Sequence, residues 1–166
     1  MTRKAIAPVV DGDAMLRLLE HADLADTMRW RNHADSRRWF HTSDPISGEQ
    51  HRAWFDAYLQ RADDYVFVLE IDGTRVAQAS LYDVDATSAE FGRLLVDPAR
   101  RGAGVSHRAI ALCLRVADDS LRLKRVHLEV KRANTRAIRA YANAGFRDVA
   151  RPARAADSIV MERRVP

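Results

Sequence analysis

Apolar positions along the chain fall into short alternating runs separated by longer stripes with helical spacing. The segment "MLRLLE" alternates as a strand, and in "ADLADTMRWRNH" Leu24, Met28 and Trp30 recur near the helical period. A second helix is predicted after Pro45. Ser47 stands where an N-cap belongs and Gln50 where its capping-box partner belongs, while Trp54, Phe55, Tyr58 and Leu59 form an apolar stripe read as core. In "YVFVLEIDGTRVAQASLYDVD" two apolar runs flank Asp72-Gly73, the dipeptide of a tight hairpin, and "SAEFGRLLV" reads as a third strand. A glycine-containing turn then leads into a helix running to about Asp118. Beyond it, "RVHLEVKR" puts Val126, Leu128 and Val130 on one face, "NTRAIRAYANAG" reads as a helix, and "FRDVA" and "SIVMERR" close as strands. Residues 1–13 read as a loose lead-in. Strands first, then strands alternating with helices, predict a mixed α/β sheet in one domain spanning residues 1–166.

The turn "VDPARRGAGVS" raises the first question of chemistry. The opening turn of a helix leaves backbone N–H groups unpaired, and glycines ahead of it let a ligand approach the main chain, which together make an anion site suited to phosphate. Arg100 and Arg101 add positive charge. The pattern lacks the Lys-Ser/Thr ending of a P-loop and the third glycine of the dinucleotide fingerprint. A plain strand-to-helix turn with two solvated arginines is the alternative.

Composition narrows the setting. A chain of 166 residues with 47% hydrophobic content suits a single core, and no apolar window approaches the ~20 residues that span a bilayer. The formal charge of +4 points to anionic partners, although arginine greatly outnumbers lysine, as codon bias in a GC-rich genome also produces. The one cysteine, Cys113, excludes an intrachain disulfide and is expected to pack; a cytoplasmic location is expected. Six scattered histidines and no cysteine pair argue against a zinc site, and no metal is expected.

The residues of the turn resemble the acetyl-CoA signature of the GNAT superfamily of N-acetyltransferases: Arg101, Gly104 and Ser106 occupy its three fixed places, Ser106 standing where the family has Gly or Ala. The resemblance continues at "NTRAIRAYANAGF", where Asn134, Ala137, Tyr141, Gly145 and Phe146 are in register with a second family segment. It covers roughly residues 15–164 and is strongest from Glu90 to Phe146. It implies the GNAT fold, a mixed, mostly antiparallel sheet with splayed central strands flanked by helices, here "EFGRLLV" and "HLEVKR". It implies acetyl-CoA as donor, held by the N–H groups of Arg101, Gly102, Ala103, Gly104, Val105 and Ser106, by Asn134, and along the strand at Leu95 and Val96. It also implies Tyr141 as proton donor to the leaving thiolate. Glu90 stands where some members carry a glutamate base; His41, a water chain, or an ordinary half-exposed glutamate with no such role are the alternatives.

The segment "RWRNHADSRRWFHTSDP" combines arginines with aromatic residues, a composition that also fits RNA binding by stacking and phosphate contact. The family resemblance implies instead an acceptor-site loop, with Arg31, Arg37, Arg38, Trp39 and His41 as substrate-binding candidates. Nucleic acid and membrane partners are not expected, and a homodimer is allowed. Resemblance to the branch that acetylates nucleotide-linked amino sugars and ribosomal-protein α-amines puts a nucleotide-linked amino sugar first as the amine acceptor. A protein N-terminus and a small amine or amino acid follow, and an acyl-CoA- or RNA-binding module without catalysis is the reading from another class.

Overall fold

The computed structural model describes residues 2–166; Met1 lies outside the described residues. Eight strands form one sheet in the order β1-β2-β3-β4-β5-β6-β8-β7. They are β1 (Val9–Asp11), β2 (Ala14–Leu18), β3 (Tyr65–Ile71), β4 (Thr74–Tyr82), β5 (Ser88–Val96), β6 (Arg125–Lys131), β7 (Arg147–Asp148) and β8 (Ser158–Arg164). All neighbours are antiparallel except β5 and β6, which are parallel. The helices are α1 (Leu24–Asn32), α2 (Ala34–Arg37), α3 (Gly48–Leu59), α4 (Val105–Arg115) and α5 (Thr135–Asn143). No helix among the described residues is long and apolar enough to cross a membrane.

The hydrophobic pattern explains the layering. On β3, Tyr65, Phe67 and Leu69 join the large core shared with α4 and α5, whereas Val66 and Val68 face the smaller cluster of Leu24, Phe55 and Tyr58 from α1 and α3. Both faces are therefore covered, and β3 reads as a nearly unbroken apolar run instead of an alternating one. Asp72 and Gly73 both take positive φ (50° and 73°), closing the β3–β4 hairpin as its sequence predicts. The capping box at the start of α3 is formed, with Ser47 Oγ accepting from Gln50 N–H at 3.1 Å and Gln50 Oε1 accepting from Ser47 N–H at 2.8 Å.

Three features depart from the sequence reading. The lead-in contains β1, which pairs with the free edge of β2 from Val9↔Leu16 to Asp11↔Ala14; three residues are too few to show an alternation of their own. The one-turn helix α2 was not predicted, because it has no apolar stripe. The "FRDVA" strand shrinks to Arg147–Asp148, which pair with Glu162 and Met161 of β8; Val149 adds one hydrogen bond to Val160 before the chain turns away.

A polar contact is built into the smaller core. His51 on α3 shares a hydrogen bond with Thr27 of α1 (Nε2 to Oγ1, 2.9 Å) and stacks on Trp54. Burial pushes its pKa below the ordinary 6.5, so the folded chain holds the imidazole neutral. The unfolded chain binds the proton more readily; the contribution is complete above pH 6.5 and is lost as pH falls below that value. His51→Gln keeps a hydrogen-bonding group that does not titrate. Its melting temperature, followed by calorimetry from neutral pH down to about pH 5.5, is expected to fall less than that of the wild type, and parallel curves would remove His51 from the acid response.

Candidate active site

The site begins where two neighbouring strands part. β5 and β6 pair only across Ser88↔Arg125, Ala89↔Val126 and Glu90↔His127, although β5 continues to Val96 and β6 to Lys131. Beyond Glu90 a cavity of about 1140 Å³ opens, reaching from the turn before α4 to the loop after α2. A bulge in β5 accompanies the parting. Its register with β4 slips between Gln78↔Leu95 and Ser80↔Gly92, and Arg93 takes φ +51°. Asp64 holds that residue by an ion pair (Nη1 to Oδ1, 2.7 Å), and the guanidinium lies 4.3 Å from the Tyr82 ring centroid. Gln78 Nε2 donates to the Arg93 carbonyl at 3.3 Å. The extra residue leaves Leu94 and Val96 lining the gap, while the Leu95 side chain is buried away from it.

At the far end of β5, Asp97 accepts from Ala99 N–H at 3.0 Å, and a 3-10 turn at Pro98–Arg100 leads to Gly102 and Gly104, both at positive φ (81° and 75°). A Cβ on either glycine meets nothing within 4 Å, so it is backbone conformation, with open space beside it, that calls for glycine here. The first bond of α4 runs from Arg108 N–H to the Gly104 carbonyl, leaving the N–H groups of Val105, Ser106 and His107 ahead of it without helical partners. Gly102, Gly104, Val105 and Ser106 line the cavity; Ala103 does not. Arg101 is committed elsewhere: its guanidinium binds Asp35 (2.9 Å) and Ser36 (3.1 Å), tying the turn to α2. Arg100 and Arg136 line the cavity with no ion-pair partner among the described residues. Asn134 caps α5, its Oδ1 accepting from Ala137 N–H at 3.2 Å.

Chemistry-bearing groups gather at the fork. Glu90 is buried; its Oε1 accepts from the Tyr82 hydroxyl at 2.7 Å and from Arg154, and its Oε2 lies 3.8 Å from His127 Nε2. Burial, aided by Arg151 and Arg125 and opposed by Glu90, holds His127 below the ordinary histidine range. Burial and then the Glu90 carboxylate push the Tyr82 phenol up. Glu129, on the same face of β6 as His127, takes the Arg154 backbone N–H at 3.0 Å and its Nε at 3.1 Å. Tyr141 packs edge-on against Phe91 and Phe146, lines the cavity, and has no hydrogen-bond partner for its hydroxyl among the described residues; burial pushes it up to about 12.

Tyr82, His127, Glu129 and Arg154 are not among the site residues that the sequence offers, and His127 reads there as a near-surface residue of its strand. Strand alternation places His127 and Glu129 together, and a strand glycine beside Glu90 marks a close approach; nothing local marks Arg154. In the loop after α2, Arg38, Trp39 and His41 line the cavity, whereas Arg31 and Arg37 do not. Arg31 instead donates to the Thr42 carbonyl at 2.6 Å and stacks over Phe40, its pKa lowered by burial and by Arg37, so it braces the loop from behind.

A Cβ at Gly92 falls 2.9 Å from the Tyr82 hydroxyl oxygen and 3.0 Å from its ring. Gly92→Ala is expected to cost about 1–3 kcal/mol through overpacking, read by urea unfolding, and to displace the Tyr82–Glu90 hydrogen bond. A variant as stable as the wild type would show that the ring moves freely.

Comparison with known proteins agrees with this geometry. The family described as Acetyltransferase (GNAT) domain matches residues 14–147. Spermidine N(1)-acetyltransferase of Escherichia coli (strain K12) is 26% identical over 133 residues, 79% of this chain and 71% of that relative. Among solved structures, spermidine N-acetyltransferase from Vibrio cholerae in complex with CoA and spermine superposes with a TM-score of 0.83 at 20% identity, covering 93% of this chain and 97% of that one. Campylobacter jejuni N-acetyltransferase PseH in complex with acetyl coenzyme A gives 0.70 at 17% identity, covering 90% and 98%. At those identities the two structures speak for the fold. Since the family match takes in the parted strands, the glycine turn and α5, this chain belongs to the GNAT acetyltransferase family and is an acetyl-CoA-dependent N-acetyltransferase.

Proposed function

We propose that the whole chain acts as one catalytic domain, in the cytoplasm, that acetylates a primary amine carried on an anionic molecule, a nucleotide-linked amino sugar being the leading candidate. Acetyl-CoA supplies the activated acetyl thioester. The residues present fit it: unpaired N–H groups at Val105, Ser106 and His107 and open space at Gly102 and Gly104 suit a pyrophosphate, with Arg100 and Arg136 beside them. Leu94, Val96 and Asn134 line the gap that suits the pantetheine arm.

An ammonium must lose a proton before it attacks. Glu90, at the fork and hydrogen-bonded by Tyr82, is assigned as the acceptor of that proton, directly or through a water, with His127 next to it on the opposite oxygen. Tyr141 is assigned to the departing sulfur. A phenol held at about 12 keeps its proton and donates a hydrogen bond, because full transfer to a thiolate whose conjugate acid lies near ~8.5 is uphill. The role assigned is stabilisation of the negative charge developing on sulfur, by the same hydroxyl that the family resemblance makes a proton donor.

The acceptor reading is carried by one observation: two carboxylates, the buried Glu90 and the partly buried Glu129, lie at the fork, whereas Arg38 and Lys131 stand with Trp39 around the cavity. Carboxylates suit the reacting ammonium, cations suit phosphates on the remainder of the acceptor, and Trp39 offers a face to a base. A polyamine brings further positive charges toward Arg38 and Lys131. The similarity to a spermidine N(1)-acetyltransferase supports a polyamine as second reading.

An acceptor screen following CoA thiol release decides between them. A uridine- or thymidine-diphosphate amino sugar is expected to turn over, free nucleoside diphosphates to compete with it, and Arg38→Ala to weaken the acceptor while sparing acetyl-CoA. Turnover of spermidine without inhibition by millimolar nucleoside diphosphate would overturn the sugar-nucleotide reading and leave the acetyltransferase. Tyr141→Phe is expected to lower kcat by roughly 10²-fold with little change in KM for acetyl-CoA; unchanged kcat would exclude the role given to the hydroxyl.

A further inference from the structure

The carboxylates at the fork are already occupied by a cation that belongs to the chain. Arg154 sits in the segment between β7 and β8, residues 149–157, and its side chain is 58% exposed. Yet its Nη2 reaches Glu90 Oε1, and its Nε and backbone N–H reach Glu129. Beneath it, the side chains of Glu90 and Glu129 are only 6% and 12% exposed, although both line the cavity. We propose that Arg154 is an internal stand-in for the acceptor's ammonium, occupying Glu90 and Glu129 in the free enzyme and leaving them when an amine binds.

The asymmetry in burial explains why the cation is the part that moves. Buried carboxylates left bare are costly, so they require a positive partner at all times. A guanidinium that is more than half in water regains its hydration easily, so its departure costs little once another cation takes its place over the carboxylates. Exchange of one cation for another keeps the buried charges compensated throughout.

The segment that carries it is built to give way. "VARPARAAD" contains mostly small side chains and no regular element, and its residues are largely exposed. Its backbone ties lie near its ends, Val149 N–H to the Val160 carbonyl, Arg151 to Val149 and Ser158 to Ala155, whereas Arg154 N–H donates to the Glu129 side chain itself. The contact to be broken is therefore also what draws the middle of this segment onto the cavity. While it stands, the guanidinium repels an approaching ammonium and hydrogen-bonds the Glu90 oxygen that accepts from Tyr82. Arg154 thereby sets a threshold that an acceptor must exceed through its other contacts, and weakly held simple amines are turned away.

This inference rests on Glu90 as the place where the amine docks, but not on which acceptor carries the amine. Ethylammonium chloride is accordingly the probe, titrated into the free wild type, Arg154→Ala and Arg154→Lys while amide chemical shifts around Glu90 and Glu129 are followed. Arg154→Ala is expected to bind it about tenfold more tightly than the wild type, and Arg154→Lys to return toward the wild-type value. Ethylguanidinium should inhibit Arg154→Ala competitively against the amine and not against acetyl-CoA. Equal ethylammonium affinity in folded wild type and Arg154→Ala would overturn the proposal. So would a fall in kcat with unchanged KM for the amine, the signature of a guanidinium that stays in place to position Glu90. Failure of every nucleotide-linked acceptor in the screen leaves the ethylammonium result intact, so the two readings fail separately.

Discussion

The bulge at Arg93 is the constraint from which the site follows. A non-glycine residue at φ +51° costs of order 1–2 kcal/mol, and here the cost is offset by a nearly buried ion pair with Asp64 and by the Tyr82 ring beneath the guanidinium. The extra residue takes β5 off its register with β4, and past Glu90 the strand no longer pairs with β6. A fully zipped sheet would leave no gap between Val96 and Lys131, and the N–H groups at the start of α4 would face no cavity. Gly92 fits the same scheme: the absence of a side chain lets Tyr82 lie over the strand and reach Glu90, so conformation and chemistry meet within a four-residue stretch, Glu90 to Arg93.

The charges of the cavity are organised in pairs that join its two ends. Arg101 sits in the glycine turn, yet its guanidinium grips Asp35 and Ser36 on α2, whose following loop carries Arg38, Trp39 and His41. The glycine turn at one end of the cavity and the loop at the other are therefore tied together by one side chain. Arg31 supports the same loop from its other side through Thr42 and Phe40. Arginine serves these roles because its planar fork grips more than one acceptor and carries its charge at any physiological pH. Four of the 24 arginines thus have distinct tasks: a brace at Arg31, a tie at Arg101, a clamp at Arg93 and a cation over carboxylates at Arg154.

Much of this was legible in the sequence, for reasons that are local. The period of the apolar residues gave the strands and the longer helices, Asp72-Gly73 the hairpin, Ser47 and Gln50 the capping box, and the glycines at 102 and 104 ahead of a helical stripe the turn. Each is set by residues within a few positions of one another, where backbone geometry leaves little choice. The gathering of Glu90, His127, Glu129 and Arg154 is different in kind, since they come from β5, β6 and the segment before β8 and meet only because strands distant in sequence lie side by side. Alternation told which face His127 and Glu129 take, but not that Glu90 lies across from them. The positive φ of Arg93 has no signature in composition; it is sustained by Asp64, 29 positions earlier. Arg31 and Arg38 look alike along the chain, and only packing turned one behind the loop and the other into the cavity. Sequence by itself determined the longer strands and helices and the glycine turn before α4, because those depend on near-neighbour geometry. Tertiary structure alone decided which charges face one another in the cavity, because that depends on contacts between residues the chain keeps far apart.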